Sequence, residues 1–471
     1  MSVERGTAGT GAVLSLSAIG KQDTYLNDLS GNPQNSFWNY KPIKHSNFTL
    51  YYRSIPKSNP GTTNWPFGET INFQIDPKSS GDALANCFLK FTLPGLSGGA
   101  QYCDQIGRAL IKEYSFRVGD TVVQTMPGDW GIIHDELYSE NTERKAHQYM
   151  FNAGQPEGTL PSSGVASKPI PIYLPLNFFF SRYNTVLPGN WMNNATVSAE
   201  MENATTFKPY FMLCACTQQK VTISVTFNPI TYFSNASAVS LTSLNLVTEQ
   251  VSLTPEEALY YRTNKQTFIY NTVTKQPKLR LDKGDGVKNA TGPIPPGCND
   301  TFKNYLTSNI PVKAFHWFLR DQRYEDIDDP TYFLNRFNFC RVQDTLPQQE
   351  FKYNTMAEAS LFINGNKQLG FFSQRRPFDD VTGASYYKYV QSYIHKYNAP
   401  ERNVYTYSFS LNPRDPEPSG SLDFSVMDTS KTLIEGHIHP DATSNSYNVN
   451  MFYLGYIVLS YQDDFCHLVF L

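Results

Sequence analysis

The chain has 471 residues, 40% of them hydrophobic and 17% charged, with a formal net charge of −3. That length exceeds one ordinary core and predicts at least two domains. The near-neutral charge and the lack of a basic block exclude a broad nucleic-acid-binding surface, but suit a protein that meets copies of itself.

With 30 Tyr, 32 Phe, 30 Pro and 29 Gly, the composition favours many short strands joined by turns over long amphipathic helices. Residues 1–24 are small and polar, which predicts an N-terminal arm rather than core. They lack the cationic start and long apolar run of a signal peptide, and no run in the chain approaches the ~20 apolar residues of a membrane span. The chain therefore reads as soluble and unsecreted.

Strand patterns follow in order. "INFQID" (71–76) alternates, and "ANCFLKFTLPGL" (85–96) is a long strand stopped by Pro94-Gly95. "ALIKEYSFRVGDTVVQTM" (109–126) predicts two strands around Gly119-Asp120. "DWGIIHDELYSENTERKAHQYM" (129–150) is the first helical candidate. "PIPIYLPLNFFF" (169–180) and "KVTISVTFNP" (220–229) return to strands. In "VSLTPEEALYYR" (251–262), Thr254 can cap a helix, Pro255 suits its first turn and Glu257 completes a capping box. This short helix is a natural divider.

The second half repeats the texture in "AFHWFLR" (314–320), "ASLFING" (359–365), "TLIEGHIH" (432–439) and "NMFYLGYIVLSYQ" (450–462). Between them "VYTYSFSLNPRDPEPSGSLDFSVMD" (404–428) predicts a strand, a proline-rich turn and a second strand. Two strand-rich halves of about 200 residues fit roughly eight strands apiece, the size of a jelly roll with long loops.

Chemical motifs are sparse. His437 and His439 share one side of a strand and could meet one ion, but no further ligand is specified, so no metal site is expected. "GDG" (284–286) and "GLSGG" (95–99) lack the helix and Lys of a phosphate loop and read as turns. "DQRYEDIDDP" (321–330) lacks the glycine and closing Glu of a calcium loop and reads as a solvated loop. No hydrolase motif of the G-x-S-x-G or H-E-x-x-H type occurs. Seven cysteines without a zinc spacing predict reduced, mostly buried thiols. Sequons at Asn47, Asn194, Asn203, Asn235, Asn289 and Asn299 are candidate glycosylation acceptors, although a chain rich in Asn, Ser and Thr carries several by chance. Catalytic residues and cofactors are expected to be absent.

"YSFSLNPRDPEPSGSLDFSVMD" (407–428) strongly resembles a segment of the major capsid proteins of nucleocytoplasmic large DNA viruses. The resemblance rests on Tyr407, Ser408, Phe409, Leu411, Asn412, Pro413, Pro418, Ser419, Gly420, Phe424, Ser425 and Asp428. Val426-Met427 departs from the Arg-Ile of many members. "GKQDTYLNDLSGNPQNSFW" (20–38), "CDQIGRALIKEYSFRVGDTVVQTMPGDWGIIHDEL" (103–137), "IYLPLNFFFSR" (172–182) and "ASLFINGN" (359–366) are similar to further segments of that family, in the family's order.

The resemblance implies an all-β double jelly roll, two eight-stranded β-sandwiches side by side with short helices in loops. It divides the chain into an arm (1–24), a first jelly roll (25–253), a linking helix (254–262) and a second jelly roll (263–471). It further implies a homotrimeric, pseudo-hexagonal capsomer that tiles the icosahedral shell of a large double-stranded DNA virus, assembled in the host cytoplasm. Its partners would be itself, neighbouring capsomers, minor capsid or cement proteins and a penton protein. An internal membrane would be reached through minor proteins, and no nucleic acid is contacted directly. Two alternatives are a non-virion scaffold of the same fold that shapes a viral membrane, and a carbohydrate-binding or hydrolytic jelly-roll protein.

Overall fold

The computed structural model describes residues 46–58, 67–139, 141–152, 168–181, 210–281, 301–342, 353–368, 383–414, 418–439 and 445–469. Its first strands are β1 (Phe48–Pro56), β2 (Thr70–Ile75), β3 (Ala83–Leu93), β4 (Ile111–Val118), β5 (Thr121–Pro127), β6 (Ile170–Leu176), β7 (Phe211–Met212), β8 (Val221–Phe227) and β9 (Thr242–Leu253). They form two antiparallel sheets. One runs β1-β9-β3-β6, with β7 also on β3; the other runs β2-β8-β4-β5. First and last strands thus lie side by side, and the chain alternates between sheets. That is the winding of a jelly roll.

The second set repeats it. β10 (Gln266–Lys275), β11 (Leu279–Leu281), β12 (Thr301–Tyr305), β13 (Val312–Asp321), β14 (Met356–Ile363), β15 (Asn366–Lys367), β16 (Tyr405–Ser408), β17 (Leu433–Ile438), β18 (Tyr447–Gln462) and β19 (Phe465–Val469) follow in order. They make a sheet β10-β18-β13-β16, with β11 and β19 on β18, and a sheet β12-β17-β14-β15. The fold is a double jelly roll.

Period-two burial explains the inner faces. In β8, Val221, Ile223, Val225 and Phe227 are buried and the residues between them are half-buried. "NFFF" behaves differently. The strand ends at Leu176, and Phe178, Phe179 and Phe180 turn inward. The Ser181 hydroxyl holds this turn, donating to the Leu176 carbonyl and accepting from the Phe178 N–H, both at 3.1 Å. All three rings pack edge-on against Phe116, at 5.0 to 5.6 Å between centroids. In the second jelly roll Trp317 plays that part, with Tyr387 at 5.2 Å and Tyr405 at 5.6 Å.

Helices sit in the connections. α1 (Trp130–Leu137) and α2 (Asn141–Met150) lie between β5 and β6. α3 (Pro255–Thr263) joins the two jelly rolls, and its Thr254 cap accepts from the Glu257 N–H at 3.4 Å. The second jelly roll carries three helical pieces between β15 and β16: Gly383–Ser385, a π-helical turn Tyr386–Val390, and Gln391–Ile394.

One predicted strand is absent. "SLDFSVMD" contains a 3-10 turn, Phe424–Val426, because the Asp423 carboxylate accepts from the Ser425 N–H at 2.8 Å and bends the chain. Only Leu422 pairs, in an isolated bridge with Val312. Leu411 also departs from the alternation: β16 ends at Ser408 and Leu411 is exposed. The N-terminal segment 1–24 lies outside the described residues. All described residues belong to one compact unit, 46–186 with 208–471, so the two jelly rolls are fused by contacts rather than strung on a linker.

Gly128 precedes α1 and has a steric reason. A Cβ there would come 2.0 Å from the Ile111 carbonyl oxygen. Backbone cannot move aside as a flexible side chain can, so Gly128→Ala should destabilise the protein by about 1–3 kcal/mol. Urea denaturation with an unchanged midpoint would contradict this.

Candidate functional site: the junction

The most elaborate polar constellation joins the two jelly rolls. Every residue of α1 is buried, including His134, Asp135 and Glu136. A helix buried all round must satisfy its charges from both sides. Just before it, Asp129 receives a two-pronged contact from Arg320 on β13, with both nitrogen–oxygen distances 3.1 Å. Lys275 on β10 adds a third bond at 3.1 Å. The other edge of Arg320 meets Glu325 at 3.0 Å. Glu325 in turn accepts from Lys278 at 3.0 Å, Asn448 at 2.7 Å and Asn450 at 2.6 Å. The acidic stretch 321–330 is therefore not simply a solvated loop. Asp321 and Glu325 are its ion-paired members, and Arg320 beside them is buried.

A second cluster sits at the other end of α1. The Glu136 carboxylate accepts the backbone N–H of Glu401 at 2.8 Å and lies 3.4 Å from the Arg402 guanidinium, which also meets Asp104 at 2.6 Å. Arg144 on α2 reaches Glu401 at 3.2 Å. Asp135 stays with the first jelly roll, bound by Arg108 through two bonds of 2.8 Å. Between these clusters lies an aromatic layer. Trp130 packs 5.6 Å from His316 and 6.2 Å from Phe452, and the Tyr138 hydroxyl is 3.0 Å from His316 Nε2.

Burial and pairing compete over these charges. For Asp129 burial opposes ionisation, but Arg320 and Lys275 outweigh it and hold the carboxyl below its usual range. Asp135 is likewise held low by Arg108 and His147 against burial. His316 has no anion to help it, and burial pushes it down to about 3. Burial also pushes His147 down to about 4, although Asp135 pulls the other way. A cavity of about 30 Å³ at this junction, bordered by Gln124, Trp130, Tyr138 and Arg414, has room for a water or two. Ligand pockets begin near ~300 Å³.

His437 and His439 lie on and just after β17. His437 Nε2 is 3.7 Å from a Glu358 oxygen and its Nδ1 is 3.3 Å from the Thr301 hydroxyl. Among the described residues no three metal-binding side chains gather. The six described cysteines, Cys87, Cys103, Cys214, Cys216, Cys340 and Cys466, are buried. Burial raises the thiols of Cys87, Cys103, Cys214, Cys216 and Cys466, with Cys214 and Cys466 at about 12. Of the sequons, Asn47 and Asn235 are exposed, and the Asn235 side chain accepts from the Gln101 N–H at 2.8 Å. Asn194, Asn203, Asn289 and Asn299 lie outside the described residues. No described helix is long and apolar enough to cross a membrane.

Nothing in the sequence marks the junction as a site; "DWGIIHDEL" reads only as the start of a helical candidate. Its local trace is only an acid and a tryptophan opening a short helix, with the arginine partner almost two hundred residues away.

Comparison with known proteins accounts for this architecture. The family model for the N-terminus of major capsid proteins matches residues 36–245, and that for the large eukaryotic DNA virus major capsid protein matches 239–451. The chain is 23% identical to the major capsid protein of Phaeocystis pouchetii virus, over 89% of this chain and 91% of that one. It is 23% identical to that of Pyramimonas orientalis virus, over 93% and 95%. Its fold matches the quasi-atomic model of the PBCV-1 virus capsid with a TM-score of 0.68 at 16% identity, covering 93% of this chain and all of the other. Two adjoining family models, relatives aligned almost end to end, and two jelly rolls locked by a buried ionic junction place the chain in the family of large eukaryotic DNA virus major capsid proteins.

Proposed function

We propose that the chain is the homotrimeric, pseudo-hexagonal building block of an icosahedral virus shell, and that it acts by assembly rather than catalysis. The observation that carries this reading is the fusion of two complete jelly rolls into one block through α1. Each chain supplies two sandwiches, so three chains close a near-hexagonal ring whose rotational symmetry leaves no open end. In this reading 25–253 and 263–471 are the two units, 254–262 joins them, and 1–24 serve assembly as an arm. Neighbouring capsomers, minor capsid proteins and a penton protein contact the block, an internal membrane is reached through minor proteins, and assembly takes place in the host cytoplasm.

Permanent interfaces of this kind bury more than ~2,000 Å², and dissociation is then linked to unfolding. Light scattering on the soluble protein should give a mass near three times 53.4 kDa, independent of concentration in the micromolar range. A monodisperse monomer that builds no shell would overturn the proposal.

A further inference from the structure

One side chain of the proline-rich turn "NPRDPEPSG" (412–420) reaches the junction. Leu411 and Asn412 are exposed, but Pro413 is buried and Arg414 half-buried, and both border the cavity beside α1. The two terminal nitrogens of Arg414 serve different segments. Nη2 donates to the Tyr138 carbonyl, at the C-terminal end of α1, at 3.1 Å. Nη1 donates to the Lys396 carbonyl, just after the last helical piece of the second jelly roll. One guanidinium thus spans the two jelly rolls.

The third nitrogen of Arg414 is in another situation. Its Nε–H is buried and has no hydrogen-bond partner among the described residues. His134 Nε2 on α1 and Asn177 Oδ1 just after β6 also lack one, and both residues border the same cavity. Other polar side chains around it are already engaged. Gln124 accepts from the Phe179 N–H at 3.0 Å, the Tyr138 hydroxyl lies 3.0 Å from His316, and Asn271 accepts from Lys313 at 3.0 Å. A buried polar atom left alone is rare and costly. Three around one void of about 30 Å³ call for an occupant.

The chemistry of the three atoms selects it. An Asp135 oxygen lies 3.9 Å from His134 Nδ1 and draws the ring proton there, which leaves Nε2 as an acceptor. Asn177 Oδ1 is a second acceptor, and the Arg414 Nε–H is a donor. An inorganic anion would face two acceptors, and a metal cation would face a guanidinium. A water molecule has two protons for the acceptors and a lone pair for the donor. About three bonds are the usual complement of a buried water, and ~15 Å³ is room enough for one.

We propose that this cavity is a dedicated water site, and that Arg414 is the positioning residue that fastens the proline-rich turn of the second jelly roll to the first through it. The water donates to His134 and Asn177 and accepts from Arg414. It ties the turn to α1 and to the "NFFF" turn together. The site lies within one chain and does not depend on the trimer.

Two measurements on the full-length protein test this. A crystallographic or cryo-electron-microscopic map fine enough to show waters should carry one peak within about 3.2 Å of His134 Nε2, Asn177 Oδ1 and Arg414 Nε. An empty cavity would overturn the proposal. So would a peak that bromide replaces in soaked crystals, since the site would then hold an anion. The second measurement is a double-mutant cycle of Asn177→Leu and Arg414→Met in urea unfolding. The orphaned atoms of the two side chains share no direct bond, so coupling between them runs through the cavity. Asn177→Leu should lower the midpoint less than half as far in the Arg414→Met background as in the wild type. An equal shift in both backgrounds would overturn the role of Arg414. The map needs no variant, so it decides the matter if a variant fails to fold.

Discussion

Replacing Arg320 by alanine should cost about 3–5 kcal/mol of stability, a large part of the total for a typical protein. The reason is what stays behind. Asp129 and Glu325 are both paired to the buried Arg320 guanidinium, with contacts of 3.1 and 3.0 Å. Without it, two carboxylates must share the junction with only Lys275, Lys278 and two asparagine amides for company. A buried charge without its partner is far more expensive than a broken surface pair. Arg262 and Asp464 give the comparison: their contact is shorter, at 2.7 Å, but Arg262 is 49% exposed. Arg262→Ala should therefore cost under about 1 kcal/mol. Thermal and urea unfolding of both variants, at one protein concentration, decides the point. Equal effects would mean that the junction does not hold the jelly rolls together.

Acidification should destabilise the protein well above the pH at which carboxylates titrate, through His316 at the junction and His147 beside Asp135. His316 and His147 are held neutral by burial, at about 3 and about 4, against about 6.5 in an unfolded chain. Between those values the unfolded chain binds more protons than the folded one. Stability is thus fully present above pH ~6.5 and falls as the pH drops towards the folded values. At pH 5 each histidine should cost about 2 kcal/mol relative to pH 7.5. Asp129 and Asp135 are shifted down, so their contribution is lost only further into acid, as pH falls through and below the ordinary carboxylate range. Urea midpoints measured across pH 7.5 to 5 should fall, and His316→Gln should remove about half of the slope. A flat profile would contradict the neutral, buried state of these rings.

Much of the fold was legible because alternation is local. The β8 pattern, the Gly119-Asp120 turn and the Thr254 cap each depend on residues within a few positions of one another. The failures were also local. "SLDFSVMD" alternates as a strand should, yet the Asp423 side chain competes for the backbone and makes a turn. "NFFF" reads as more strand, yet a serine hydroxyl stops it and three rings fold onto Phe116. The junction was out of reach for a different reason. Asp129 and Arg320 are 191 positions apart, and nothing in either neighbourhood specifies the other. The stretch "DQRYEDIDDP" illustrates the cost: its acids look solvated until β13 and β18 bring Arg320 and two asparagines to Glu325.

Whether the chain is a shell subunit or a scaffold of the same fold is settled most directly by quantitative mass spectrometry of purified virus particles. A building block that tiles the shell should be the most abundant protein in the particle. A chain abundant in infected cells but missing from the particle would contradict the account.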